Sequence, residues 1–258
     1  MQIKKIVTQS LAAATATATV ILLTSAHAAL VGRDINGVAV AGSSASAVFL
    51  YDTDLNITWL RNANAAAGSS FDDGLDTTDG YMRWANANNW ANNLTVGSFS
   101  GWRLPTMVDT GAPGCDFSYA GGTDCGYNVQ TATSEMAHLY YVSLGNLAYC
   151  PPGDATCASF PQLGWGLINT GNFQNLQPYA YWSGTEYAPL LGIAWTFNTI
   201  EGFQGYDYKH YELFAMAVRP GDVAVAQVPE PGTLLLAALA LAGMGVVRRR
   251  RPLGASAL

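Results

Sequence analysis

Positive charge and histidine are the scarcest features of this chain. Its 258 residues carry 12 Lys and Arg against 18 Asp and Glu, with three His and a formal net charge of −6. Half of the basic residues sit at the ends, as Lys4, Lys5 and Arg248 to Arg251. Between residues 29 and 227, six basic residues face seventeen acidic ones, a net charge of −11. Binding a phosphate backbone needs a basic patch, so nucleic acid is not expected as a partner. Cations or neutral polymers suit such a surface better. Catalytic signatures are missing too. There is no Gly-x-Ser-x-Gly, His-Glu-x-x-His, P-loop or dinucleotide fingerprint. Past the leader only His138 and His210 remain, and His138 lies beside the apolar face of a helical pattern, where packing explains it. No catalytic residue is assigned and an enzyme is not expected. No internal repeat is visible.

What is present is concentrated first at the ends. Met1 to Lys5 is a short basic region, Ile6 to Ser25 is uncharged, and Ala26-His27-Ala28 puts small residues where a signal peptidase cuts. Residues 1–28 therefore read as a secretory signal, cleaved after Ala28. At the other end, Pro229-Glu230-Pro231 precedes an uncharged run that ends at Arg248, Arg249, Arg250 and Arg251. As a helix, Gly232 to Val247 would span about 24 Å, short of a hydrocarbon core of about 30 Å. The arginines can snorkel to make up part of the difference. They are expected to stay cytoplasmic while the signal exports the bulk. Three parts follow: the signal 1–28, an exported domain 29–227, and a tail 228–258.

The order of the tail resembles the PEP-CTERM sorting signal: Pro229-Glu230-Pro231, then the apolar segment, then the arginine cluster. The resemblance implies a membrane transpeptidase of the exosortase type as partner, transient anchoring in the inner membrane through a C-terminal transmembrane helix, and a final place at the cell surface or in the matrix. It also implies a setting of exopolysaccharide and biofilm.

The four cysteines suit an exported chain. Cys115 and Cys125 flank one Gly-rich loop, and Cys150 and Cys157 flank a Pro-rich one. Local pairing, Cys115 with Cys125 and Cys150 with Cys157, is the simplest of the three possible pairings. A zinc site is the rival, but no Cys-x-x-Cys pair or nearby His supports it.

Within the domain, "SAVFLYD" and "NITWL" read as two strands around a turn at Asp52 to Asn56. "DGYMRWANANNWANNL" (Asp79 to Leu94) reads as a helix capped by Asp79, with Met82, Ala85, Trp90 and Leu94 inward. "GWRLPT" is a short strand stopped by Pro105. Thr133 to Asn146 reads as a second helix, with a Thr/Ser cap, Met136, Leu139 and Tyr140 on one face, and Gly145 at its end. "YAYWSGTEY", "GIAWTFNT" and "LFAMAVRP" are three late strands. Strands, two helices and strands again give an α+β domain with short antiparallel strands and long loops.

"DLNITWL", "WRLPT", "YWSGTEY", "AWTFN" and "AVRPGD" occur in that order between residues 48 and 223. They resemble the family typified by the C-terminal domain of a bacterial collagen-like adhesin. The resemblance implies a C-type-lectin-like fold and polysaccharide binding, since the adhesin member binds a sulfated polysaccharide. The sugar-site triplets of calcium lectins are missing; Gln177-Pro178-Tyr179 comes near but lacks the acid. Trp102, Trp182 and Trp195 are expected in the core, and Arg103 and Arg219 in structural pairs with carboxylates.

Two ligand sites are then expected. Asp72, Asp73, Asp76 and Asp79 share one loop and can supply oxygen ligands for calcium, the only cofactor suggested, or form a solvated acidic loop. Tyr187, Tyr206 and Tyr208 come from a late aromatic cluster whose flat rings suit sugars. Tyr206 and Tyr208 share a face if their segment is extended. The functional expectation is an exported surface protein that binds extracellular polysaccharide. A structural matrix protein without a discrete ligand is the alternative, and an enzyme of unknown type comes third.

Overall fold

A computed structural model describes residues 30–111, 114–119 and 123–224. The expected signal peptide with Ala26 and Ala28, the sorting motif and the tail helix lie outside the described residues. Among the described residues, no helix is long and apolar enough to cross a membrane.

The architecture is mixed α+β, built on two antiparallel sheets. The first holds β1 (Leu30–Arg33), β2 (Ala39–Val40), β3 (Phe49–Asp52), β4 (Ile57–Leu60) and, much later in the chain, β9 (Val218–Pro220), in the order β2-β1-β3-β4-β9. The expected hairpin is present as β3 and β4, with Phe49 opposite Leu60 and Asp52 opposite Ile57. Asn56 turns the corner at φ 51°, a conformation Asn tolerates better than most residues. Asp52 is fully buried there, and its Oδ1 accepts the amides of Asp54 and Leu55 at 3.1 Å each.

The second sheet holds β5 (Gly126–Tyr127), β6 (Ala180–Glu186), β7 (Ile193–Asn198) and β8 (Phe203–Tyr208), in the order β5-β8-β7-β6. One core joins the sheets: Leu50 and Trp59 of the first pack in a cluster with Tyr181 and Phe197 of the second. Trp102, Trp182 and Trp195 are all buried, as expected.

Several elements depart from the sequence reading. The first helix, α1 (Trp84–Asn93), begins five residues after Asp79 and buries Ala87, Trp90 and Ala91, while Ala85 is exposed. Met82 is buried ahead of the helix, bridged to Leu213. Asp79 does not cap the helix because its carboxylate accepts the Tyr81 amide; the Arg83 amide at the entry goes to Asp73 instead. The second helix is α2 (Glu135–Ala137) running directly into a π-helical stretch, His138–Ser143. Ser134 caps it, accepting the Ala137 amide. "GWRLPT" forms a single bridge, Arg103 to Val218, rather than a strand. Leu213 to Ala217 likewise stays outside the regular sheet, and only its end becomes β9.

Arg103 forms the expected pair, with both guanidinium nitrogens 2.7 Å from Glu135. Arg219 does not. It lies over the Phe99 ring, 5.5 Å from the centroid, and its buried Nε has no hydrogen-bond partner. The two ends of the domain meet in the first sheet, where Arg33 grips Asp222 at 2.6 and 3.0 Å. The last described strand therefore belongs to the first sheet, whereas the aromatic candidates belong to the second.

Candidate functional site

Tyr206 lies on β8 directly opposite Trp195 on β7, so both rings rise from one face of the second sheet. Tyr187 follows β6 and folds back onto them, its amide donating to the Ile193 carbonyl at 3.1 Å. Tyr187 and Tyr206 stack with centroids 4.4 Å apart and planes 24° off parallel. Trp195 meets each ring edge-on, at 5.1 and 5.8 Å. Such ring arrangements add about 0.5–1.5 kcal/mol each beyond burial. Trp195 is buried beneath, while Tyr206 remains 41% exposed. The result is a firm aromatic platform open to solvent.

Asp109 braces it. Its Oδ2 accepts the Trp195 indole N–H at 2.9 Å and the Ala188 amide at 2.8 Å, and its Oδ1 accepts the Gly111 amide. Burial pushes this carboxyl up, but the donors outweigh it and hold the group below the usual carboxylate range. The sequence reading did not single out Asp109; nothing local in "TMVDTG" ties it to an indole 86 residues away.

Tyr208, the third expected tyrosine, shares the face of Tyr206 by alternation along β8. It forms a separate group with His210 and Tyr211, whose rings lie 5.5 and 5.6 Å away.

The aspartate loop differs from expectation. Asp72 is buried, and its Oδ2 accepts the amides of Gly68 and Gly80 at 3.0 and 2.9 Å. Gly80 sits at φ 89°, with no room for a side chain: a Cβ there would meet Asn64 Oδ1 at 2.0 Å. Asp73 is tied to Arg83, Asp76 accepts from Thr78, and Asp79 accepts from Tyr81. The carboxylates are drawn to separate local donors instead of converging. Among the described residues, no group of three or more His, Cys, Asp or Glu could hold a metal. The structure does not bring the four expected calcium ligands, Asp72, Asp73, Asp76 and Asp79, into one cluster. Asp72 Oδ1 is buried without a hydrogen-bond partner.

Cys115 and Cys125 are joined in a disulfide. Cys150 and Cys157 are not; they stand as two buried thiols. Their loop closes without a covalent link, because Asp154 organises it: its carbonyl accepts the Cys157 amide, and its carboxylate accepts the amides of Thr156 and Ser159. Burial, and then the hydrogen bond to Cys157, pushes the Cys150 thiol up to about 12. His138 is buried, with Nδ1 3.3 Å from the Ser143 hydroxyl, as packing would have it.

Below the disulfide loop lies a cavity of about 220 Å³, walled in part by Asp124 and Gln204. It was not foreseen, because its walls come from four separated stretches of chain.

Residues 227–251 match the PEP-CTERM protein-sorting motif. The motif implies an exported protein that is sorted and processed by an exosortase, a membrane enzyme. No curated protein and no solved structure matches the chain.

Proposed function

We propose that this is a surface-sorted, glycan-binding protein with a lectin-like domain, which holds a neutral polysaccharide of the extracellular matrix on the Tyr187–Tyr206 platform. The observation that carries the reading is the stack of exposed Tyr206 on half-buried Tyr187 over a buried, hydrogen-bonded tryptophan. A preorganised flat apolar face with polar rims suits a sugar ring. The acidic balance of residues 29–227 favours an uncharged polymer over a sulfated one. The protein acts as a binder, not an enzyme. The tail serves as a transient inner-membrane anchor, with Pro229 and Pro231 keeping the processing site extended and the arginines holding the far end. In a biofilm, such a protein would fix polysaccharide at the cell surface.

The test is a glycan array probed with the full-length chain in detergent. Saturable binding to neutral glycans, weakened by Tyr206→Ala, is the expected result. Preference for sulfated glycans, or binding that ignores the substitution, counts against it. Sorting is tested separately: replacing Pro229, Glu230 and Pro231 by Ala is expected to leave full-length protein in the inner membrane. Processing of that variant like the parent would reduce the tail to a plain anchor.

A further inference from the structure

We propose that the cavity below the Cys115–Cys125 loop is a second subsite that accepts one uncharged, hydroxyl-rich sugar residue; the choice of ligand class rests on the glycan reading above. The argument begins with Asp124. It is only 7% exposed and lines the cavity. Its Oδ2 accepts from Thr110, at 2.6 Å from the amide and 2.8 Å from the hydroxyl. Its Oδ1 takes no donor among the described residues. That oxygen is not fully buried and stays open to a further donor at the cavity wall.

The back wall is rigid and already satisfied. Gln204, 3% exposed on β8, accepts from the Ser134 hydroxyl at 2.6 Å and donates to the Asp124 carbonyl at 2.7 Å. Asp124 is therefore held from both its backbone and its side chain. Around it, Tyr119, Gln130 and Thr133 supply neutral groups able to donate or accept.

The chemistry selects the ligand. No Lys, Arg or His lines the cavity, so a sulfate or carboxylate would meet an unneutralised Asp124. A sugar offers hydroxyl donors on adjacent carbons, which a single carboxylate oxygen can accept together, and hydroxyl acceptors for Gln130 and Thr133. The volume is below the roughly 300–1,000 Å³ of sites for drug-sized ligands, which suits one ring rather than several.

The position also fits. Asp109 braces the platform and Thr110, the next residue, caps Asp124. One peptide thus separates the support of the aromatic surface from the wall of the cavity.

Saturation-transfer NMR on the full-length chain in detergent, with glucose, galactose, mannose and glucose 6-sulfate as probes, tests this. At least one neutral hexose is expected to bind. Asp124→Asn, which keeps an acceptor for Thr110, should weaken it about tenfold. Gln130→Ala, at an exposed rim position, should weaken it too and guards against misfolding of the first variant. Absence of any neutral hexose signal, unchanged binding in both cavity variants, or stronger binding of glucose 6-sulfate would overturn the proposal. If the cavity variants are silent while Tyr206→Ala still abolishes polymer binding, the cavity fails and the platform stands.

Discussion

The loop from Phe71 to Gly80 and the stack of Tyr187 on Tyr206 both gather groups that bind ligands, carboxylates in one and phenol rings in the other. They use them in opposite directions. In the loop, Asp72 turns inward to two backbone amides, Asp73 to Arg83, Asp76 to Thr78 and Asp79 to Tyr81. Those oxygens hold the chain's own turns in place. In the stack, the polar demands of the supporting Trp195 are met from below by Asp109, and the stacked tyrosines stay partly exposed. A cluster of ligand-type residues signals a site only when its internal bonds leave something over.

The contrast can be broken most forcefully at Asp72. Asp72→Ala removes the acceptor of two amides, each costing about 1–3 kcal/mol when left unpaired. A loss of about 3 kcal/mol in urea-unfolding stability is expected, with platform binding per folded molecule unchanged. A loss under about 1 kcal/mol would mean the carboxylate does not hold the turn.

A smaller effect concerns pH. The Asp109 carboxyl is held below its unfolded value of about 3.9. Its contribution is therefore fully present above that value and is lost as pH falls through the lower, folded one. Glycan binding should be flat from about pH 8 to pH 5 and decline only below about pH 4. A step in binding between pH 5 and 8 would show that another group governs the platform.

The smallest effect is the calcium response. Millimolar calcium is expected to leave the melting temperature unchanged, since a ligand of the folded state alone would raise it. A rise removed by Asp72→Asn would place an ion at Asp72 Oδ1 and erase the contrast.

How much of this was readable in the sequence depended on the range of the interactions. The β3–β4 hairpin was legible because apolar strands flank a short polar turn. The helix before Asn93 was displaced because Asp79, a good cap by type, is taken by the nearer Tyr81 amide. Strands β1 and β2 went unread, being short and close behind the expected cleavage site. The gathering of late tyrosines was legible in the sequence, but it did not separate the Tyr187–Tyr206 stack from the group of Tyr208, His210 and Tyr211. The indole–Asp109 bond and the Asp124 cavity were not legible, since each joins residues far apart in the chain. The Cys150–Cys157 expectation rested on export and on the two cysteines flanking a Pro-rich loop, and Asp154 hydrogen-bonds within that loop while the two thiols stay free.

The central claim is that the tyrosine platform, and not the aspartate loop, meets the glycan. Calorimetric titration of the full-length chain, its Tyr206→Ala variant and its Asp76→Asn variant against one neutral polysaccharide tests it most directly. The account predicts a loss of roughly tenfold or more, about 1.4 kcal/mol, for Tyr206→Ala and parent affinity for Asp76→Asn. Equal affinity in the parent and Tyr206→Ala, with weakening in Asp76→Asn, would contradict it.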